Sequence, residues 1–296
     1  MNRALENLLD ALPGGISDCV RESTQYKSGI PINEIRLRVN KHVSLNCGER
    51  NIILSHLVKK DELENALMSL CKRSIYSYMD TIREGYIPFS DSVRVGVCGN
   101  AVCEGGRIVN VSGITSLCAR IPYFVRGAAS SVYKALRERG FCESAVIYSP
   151  PAAGKTTLLR DLALSLASTD ASRRVALIDS RYEIAGDHLR SAENIDIYAG
   201  YPKAKGIEIA TRTMSPQYVI CDEIGLSEAE TILACQSLGV PMIVGAHARS
   251  IDSLIHSGPF SRLHSAGLFD LYVGIRVLEN SERVLDIVRR EDICKG

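Results

Sequence analysis

One short segment of the sequence has the residue types and the spacing that bind phosphate groups. It consists of Ser149, Pro150, Pro151, Ala152, Ala153, Gly154, Lys155, Thr156 and Thr157. The segment follows the phosphate-loop pattern G-x-x-x-x-G-K-[ST], except that Ser149 stands at the first glycine. Backbone N–H groups of such a loop, next to a helix N-terminus, form a cradle for anions. We expect it to bind ATP, with Lys155 on the β- and γ-phosphates and Thr156 on Mg²⁺.

The flanking residues argue against a Pro/Ala turn that precedes Gly-Lys-Thr by chance. Residues 144–148 form a short apolar run that predicts a buried strand. Leucines after the loop recur at helical spacing, and strand, loop, helix is the order that the pattern requires. Glycine adopts backbone angles that a side chain disfavours, so Ser149 predicts either a weaker nucleotide affinity or an adapted turn.

A second chemical signal is an apolar run, residues 218–221, that ends in Asp222 and Glu223. Ligands of open α/β sheets lie at the carboxyl ends of the strands. Asp222 is therefore the candidate Mg²⁺ ligand, direct or through water, and Glu223 the candidate base that orients or deprotonates the attacking water. An acidic pair after a strand is weak evidence for a catalytic site on its own. It becomes strong evidence in a chain that also contains a phosphate loop upstream.

Four further residues are candidates for the same site. Asp179 ends the predicted strand 174–179 and Glu183 follows it, so this acidic stretch either positions water or Mg²⁺ or is a charged surface loop. His247 follows another apolar run. It is either a structural histidine whose hydrogen bonds are satisfied within the fold or a residue that hydrogen-bonds the γ-phosphate. Arg212 is either a surface arginine or reaches a phosphate in its own subunit or a neighbouring one.

Composition limits the classes of protein that the chain can belong to. Its 296 residues suffice for two domains, and 46% hydrophobic with 23% charged residues is ordinary for globular proteins. A net charge of +1 and the lack of a basic stripe with aromatics disfavour nucleic acid as a partner. Neither a bilayer-spanning run nor a signal peptide is evident, which predicts a cytoplasmic protein. Ten cysteines without a C-x-x-C pair predict reduced, buried thiols.

The pattern of elements predicts an α/β protein in two domains. In residues 1–125, helices at the N-terminus and at 61–71, a strand at 32–39 and hairpin strands at 93–97 and 107–111 indicate a small α+β domain. In residues 126–296 strands alternate with helices, as in a doubly wound parallel sheet. The strands predicted there are 145–149, 174–179, 217–222, 240–245 and 271–278.

Taken together, these motifs resemble the stage III sporulation protein AA family of the secretion-type ATPase superfamily, to which type II and type IV secretion motors belong. The resemblance covers nearly the whole chain. Its matching segments are 33–38, 84–87, 94–99, 149–157, 178–186, 214–216, 222–225 and 246–248. Residues 89–93 depart from the glycine-rich turn usual in the family, so the hairpin that follows is expected to differ locally.

The resemblance implies a RecA-like P-loop ATPase domain behind a smaller N-terminal domain. It also implies a homohexamer, peripheral membrane association on the mother-cell side, and channel proteins of a sporulation complex as partners. Residues 179–183 match the family's acidic box and His247 its histidine box. Three alternatives stay open: a RecA-like ATPase that depends on nucleic acid, a nucleotide-binding interaction module with little turnover, and a small-molecule phosphotransferase.

Overall fold

A computed structural model describes residues 2–48, 50–90, 93–151, 153–168, 172–236, 239–278 and 282–293. The chain divides into two units, Met1–Tyr123 and Phe124–Gly296. Each unit has a sheet and a hydrophobic core of its own.

The N-terminal unit contains five α-helices and six strands among its described residues. The helices are α1 (Arg3–Ala11), α2 (Gly14–Glu22), α3 (Thr24–Lys27), α4 (Lys60–Leu70) and α5 (Met79–Arg83), the last preceded by a 3₁₀ turn, Ile75–Tyr78. The strands are β1 (Glu34–Arg38), β2 (His42–Cys47), β3 (Arg50–Leu57), β4 (Tyr86–Pro88), β5 (Arg94–Glu104) and β6 (Arg107–Arg120).

The six strands of this unit form one antiparallel sheet in the order β3-β2-β1-β6-β5-β4. Alternation of apolar and polar residues decides which face of the sheet is buried. In β1, Ile35 and Leu37 are buried against the helices, whereas Glu34, Arg36 and Arg38 are only half-buried on the other face. The unit is therefore α+β with its core on one side of the sheet, as the sequence predicts.

The C-terminal unit alternates strands and helices. Its strands are β7 (Ala145–Ser149), β8 (Val175–Asp179), β9 (Ile195–Ala199), β10 (Tyr218–Glu223), β11 (Met242–His247), β12 (Leu271–Val277) and β13 (Arg283–Arg289). Its helices are α6 (Ser130–Glu138), α7 (Lys155–Ser168), α8 (Asp187–Arg190), α9 (Lys203–Thr213), α10 (Leu226–Gln236), α11 (Ile251–Ile255), α12 (Gly258–Ser265) and α13 (Arg290–Ile293).

The seven strands in the described part of this unit form one sheet in the order β13-β12-β7-β11-β10-β8-β9. All neighbouring pairs are parallel except β12 and β13. Strands β7, β8 and β10 are buried along their length because helices cover both faces. One core lies under α6 and α7, and the other lies under α9, α10 and α12. The predicted doubly wound α/β fold is confirmed.

Several local expectations need correction. The hairpin strands are much longer than predicted, since β6 continues from the predicted second strand to Arg120. The N-terminal helical region consists of more than one helix, because Pro13 follows the first helix and α2 begins at Gly14. Strands β2, β3 and β4 in the N-terminal unit, and β9 and β13 in the C-terminal unit, are not predicted from the sequence. The departure at 89–93 falls partly outside the described residues, which lack 91 and 92.

The cysteines whose side chains the structure describes are free, as predicted, but only two of them are buried. Cys71 and Cys221 are free and buried, and burial raises the pKa of the Cys71 thiol to about 11. Cys98, Cys103 and Cys142 are also free but exposed, so burial was wrong for these three. As for membranes, no helix in the described part of the chain is long and apolar enough to cross a bilayer.

Candidate functional site

The phosphate-loop segment joins the end of β7 to the start of α7, in the middle of the C-terminal sheet. Pro150 and Pro151 are exposed, Ala153 is buried, and Ala152 lies outside the described residues. Gly154 has a φ of +106°, which residues with a side chain rarely adopt. Arg283 also crowds it, because a Cβ at Gly154 would lie 3.0 Å from the Arg283 Nε. Arg283 Nε donates to the Ala153 carbonyl at 2.9 Å, so β13 supports the loop.

Ser149, the departure from the loop pattern, is part of a regular strand. It is the last residue of β7 and pairs with His247 of β11. It is not one of the residues with a positive φ, so the backbone here does not need glycine. Its side chain is buried and its hydroxyl donates to the Pro150 carbonyl at 2.9 Å. The serine is therefore accommodated without backbone strain.

Lys155 is the first residue of α7, and its side chain is only 7% exposed. Its Nζ donates to Glu223 Oε1 at 3.0 Å and to the Ala246 carbonyl at 3.1 Å. Burial lowers the pKa of Lys155, while the negative charges of Glu223 and Asp222 oppose that shift. Lys155 thus connects the ends of three parallel strands. It follows the loop after β7, and its partners Glu223 and Ala246 belong to β10 and β11.

Glu223, at the end of β10, is held by the ammonium of Lys155 and the imidazole of His247. Its Oε1 accepts from Lys155 and lies 2.5 Å from His247 Nε2. Burial opposes its ionisation, but the hydrogen bond and charge of Lys155, with His247 and Lys203, lower its pKa below the usual range. Glu223 is therefore charged at neutral pH, and about a third of its side chain is exposed. A charged, accessible carboxylate can accept a hydrogen bond from water.

Asp222 has a partner that the sequence analysis missed. Lys203, the first residue of α9, places its Nζ 2.8 Å from Asp222 Oδ1, with side chains that are 12% and 9% exposed. The same Nζ donates to the Glu223 carbonyl oxygen. A lysine at a helix start after Gly200, Tyr201 and Pro202 carries no pattern that points to a site. Only its nearness to the acidic strand end reveals it.

The end of β10 is irregular. Its register with β11 shifts between Cys221 and Glu223, so that Glu223 pairs with Gly245 and Asp222 is the extra residue. Such a bulge redirects the side chains beside it. The two backbones come so close that a Cβ on Gly245 would lie 1.9 Å from the Asp222 carbonyl oxygen and 3.1 Å from Lys155 Cδ. Glycine at 245 is therefore required for this geometry.

The acidic stretch after β8 is arranged differently. Asp179 is fully buried, and its carboxylate accepts from the N–H groups of Glu183 at 2.8 Å, Ile184 at 3.1 Å and Ala185 at 2.8 Å. Arg160 of α7 holds the same loop, donating to the carbonyls of Ile184 at 2.8 Å and Glu183 at 2.7 Å. Burial raises the pKa of Asp179 against the effect of these N–H groups. Asp179 thus fixes the loop that carries Glu183.

Of the remaining predicted residues, Thr156, Thr157 and His247 lie at or next to the Lys155 cluster, whereas Arg212 lies outside it. Thr156 and Thr157 lie half-buried in the first turn of α7, where backbone N–H groups lack helical partners. His247 contacts the cluster through Glu223, and its Nδ1 lies 3.4 Å from Lys155 Nζ. Arg212 does not belong to the cluster: its side chain is 69% exposed and pairs with Glu208, one turn earlier on α9, at 2.9 Å.

The donor set is compatible with Mg²⁺. The described residues contain no group of three or more His, Cys, Asp or Glu side chains arranged around a metal. Mg²⁺ does not need one, because it keeps several waters and takes one or two protein ligands together with phosphates. Asp222 offers a carboxylate whose surroundings already accommodate a positive charge, the ammonium of Lys203. Thr156 offers a hydroxyl at the start of α7.

Comparison with known proteins gives one family and several similar folds. The family model described as "Sporulation stage III, protein AA" matches residues 3–293. Stage III sporulation protein AA of Bacillus subtilis is 30% identical over 279 residues, which cover 91% of this chain and 90% of that protein.

Two solved structures share the fold at low sequence identity. The Legionella pneumophila ATPase DotB has a TM-score of 0.62 at 14% identity and covers 92% of this chain and 82% of its own. The pilus retraction motor PilT with bound ADP has a TM-score of 0.61 at 15% identity, covering 95% and 84%. One of these proteins is an ATPase and the other a pilus retraction motor, and the fold that they share with this chain agrees with the predicted RecA-like fold.

Proposed function

The chain belongs to the sporulation stage III, protein AA family, and from that premise we propose that it is a Mg²⁺-dependent ATPase of the P-loop type. Hydrolysis would energise the assembly of a membrane-associated channel between mother cell and forespore, or transport through it. The proteins of similar fold are an ATPase and a pilus retraction motor with ADP bound, which supports a nucleotide-driven motor.

The observation that carries the proposal is the contact between Lys155 Nζ and Glu223 Oε1 at 3.0 Å. It joins the residue expected to bind phosphate to the residue expected to act on water. The phosphates of ATP attract the Lys155 ammonium more strongly than one carboxylate does, because they carry more charge. Lys155 would then leave Glu223, and the carboxylate, still held by His247, would accept a hydrogen bond from the attacking water.

Thr156 and Asp222 are the residues that would hold Mg²⁺. When bound, the metal would neutralise charge on the β- and γ-phosphate oxygens. The chain's own contribution is positioning. The first turn of α7 offers N–H groups that would bind the phosphates, and Gly245 allows β10 and β11 to approach so that Glu223 stays beside Lys155.

The assembly we propose is a homohexamer, peripheral to a membrane on the mother-cell side, with channel proteins of the sporulation complex as partners. In such a ring Arg212 is the candidate that reaches a neighbouring subunit's phosphate, since its guanidinium is exposed on α9. Measuring the mass with and without ATP and Mg²⁺ tests this assembly. A protein that stays monomeric and hydrolyses ATP at full rate would contradict it.

The enzymatic proposal is tested with Lys155→Ala. The variant should lose ATP binding and hydrolysis, because the loop loses the ammonium that holds the phosphates. Lys205→Ala is the matched control, since Lys205 is a surface lysine that pairs only with Glu208 at 3.1 Å among its described contacts. Its hydrolysis should equal that of the wild type. Undiminished ATP hydrolysis by Lys155→Ala would rule the proposed site out.

A further inference from the structure

Lys203 has a side chain that is only 12% exposed, and the ion pair and hydrogen bond that its ammonium makes with described residues both lie at the candidate metal site. Its ammonium lies 2.8 Å from Asp222 Oδ1 and donates to the Glu223 carbonyl. A buried ammonium is costly unless it is paired and hydrogen-bonded. Asp222 has the same need, because its carboxylate is only 9% exposed. Each group therefore stabilises the other in the metal-free protein.

The same pairing opposes the entry of a second cation. Two positive charges close to one carboxylate repel each other, and the repulsion is stronger in a poorly hydrated site than in water. Mg²⁺ that approaches Asp222, directly or through a water, would meet the Lys203 ammonium beside Oδ1. The ion pair must loosen before the metal is fully stabilised.

We propose that Lys203 is a positioning residue that occupies Asp222 when no metal is bound, and that Mg²⁺ has to displace it. The inference rests on the proposed function, because it assumes that MgATP binds at this site. Lys203 thereby keeps the buried carboxylate paired and in place between catalytic cycles, at the expense of metal affinity. Lys203 also donates a hydrogen bond to the carbonyl oxygen of Glu223, the residue next to Asp222. Metal binding that displaces Lys203 therefore breaks this hydrogen bond as well.

The displacement is expected in the side chain rather than in the helix. Gly206, one turn into α9, packs so closely on β8 that a Cβ there would lie 3.0 Å from Ile178 Cγ2. This contact holds the start of α9 against the sheet. The long, flexible stem of lysine can move its ammonium without moving the helix.

The test titrates Mg²⁺ at a fixed concentration of a non-hydrolysable ATP analogue and measures bound analogue. In Lys203→Met the Mg²⁺ concentration at half-saturation should fall about tenfold, a typical size for coupling between two sites. Lys203→Gln, which keeps a hydrogen-bond donor but no charge, should shift the same way. Lys203→Arg, which keeps the charge, and the surface control Lys205→Met should stay near the wild type.

A second readout separates this role from a merely structural one. The Lys203→Met thermal midpoint should fall in EDTA, where Asp222 is left buried and unpaired, and should recover with Mg²⁺ and the analogue. An equal loss of midpoint in both conditions, or an unchanged or higher Mg²⁺ requirement, would overturn the inference while leaving the proposed function intact. A wild-type protein that binds no analogue at any Mg²⁺ concentration would overturn both.

Discussion

Two neighbouring strands of the C-terminal sheet end in buried acids, and the acids are held in opposite ways. β8 and β10 are parallel and paired, and both are apolar until their last residues. Asp179, at the end of β8, accepts from three backbone N–H groups of its own loop. Asp222 and Glu223, at the end of β10, are held by the ammonium groups of Lys203 and Lys155.

This difference indicates which acid can take part in chemistry. Backbone N–H groups cannot leave Asp179 unless the 183–185 loop unfolds. Lysine side chains can rotate away and bind another anion or make room for a cation. We infer that the β8 end is a support and the β10 end is the reactive part of the site. Sequence alone could not separate them, since both read as an apolar run followed by an acid.

The largest stability effect is expected from Asp179→Ala. Three N–H groups, two of them buried and one partly buried, would lose their acceptor, and each buried unsatisfied donor costs about 1–3 kcal/mol. We predict that the free energy of unfolding falls by roughly 3–5 kcal/mol, measured by urea denaturation. Asp196→Ala, an exposed acid on the adjacent β9, is the control and should change it by less than about 0.5 kcal/mol. Equal effects in the two variants would remove the supporting role.

A smaller effect is expected from Gly245→Ala, which acts on the reactive strand end. The new methyl group would meet the Asp222 carbonyl oxygen at 1.9 Å, so β10 and β11 must separate. Overpacking of this kind costs about 1–3 kcal/mol, and turnover should fall with it because Glu223 moves away from Lys155. Gly96→Ala in β5, where the nearest atom lies at 3.7 Å, is the matched control. Wild-type turnover in Gly245→Ala would contradict the need for this close approach.

The smallest effect is expected from Ser149→Gly, which restores the usual loop pattern. Ser149 lies in regular strand, so glycine gives no relief of strain and lowers stability by about 0.5–1 kcal/mol. Nucleotide affinity, measured by calorimetry, should stay close to that of the wild type. A large gain in affinity would mean that the serine obstructs the loop.

Much of the fold could be predicted because its central strands are long apolar runs. The predicted ends of β7, β8 and β10 are within one residue of those observed. The two strands missed in the C-terminal sheet, β9 and β13, lie at its edges. β9 is only partly buried and β13 is exposed or half-buried throughout, so neither contains a continuous apolar run. Edge strands with mixed residues resemble loops when only hydrophobicity is considered.

The site was predictable where one segment contains the signal. The loop with Lys155 and the pair Asp222 and Glu223 are local patterns. Lys203 and Arg283 were missed because their roles depend on tertiary contacts with segments far away in the chain. The bulge at Asp222 was missed for the same reason, since it depends on how β10 and β11 pair.

The most direct measurement compares Asp179→Asn and Glu223→Gln for both ATP turnover and thermal stability. Each change replaces one carboxylate with an amide of equal size. The account predicts that Glu223→Gln lowers turnover by about 10²–10⁴-fold while it still binds MgATP and unfolds near the wild-type midpoint. Asp179→Asn should lower the midpoint and keep its turnover per folded molecule. Retained turnover in Glu223→Gln, or lost turnover at full stability in Asp179→Asn, would contradict the division between a reactive and a supporting strand end.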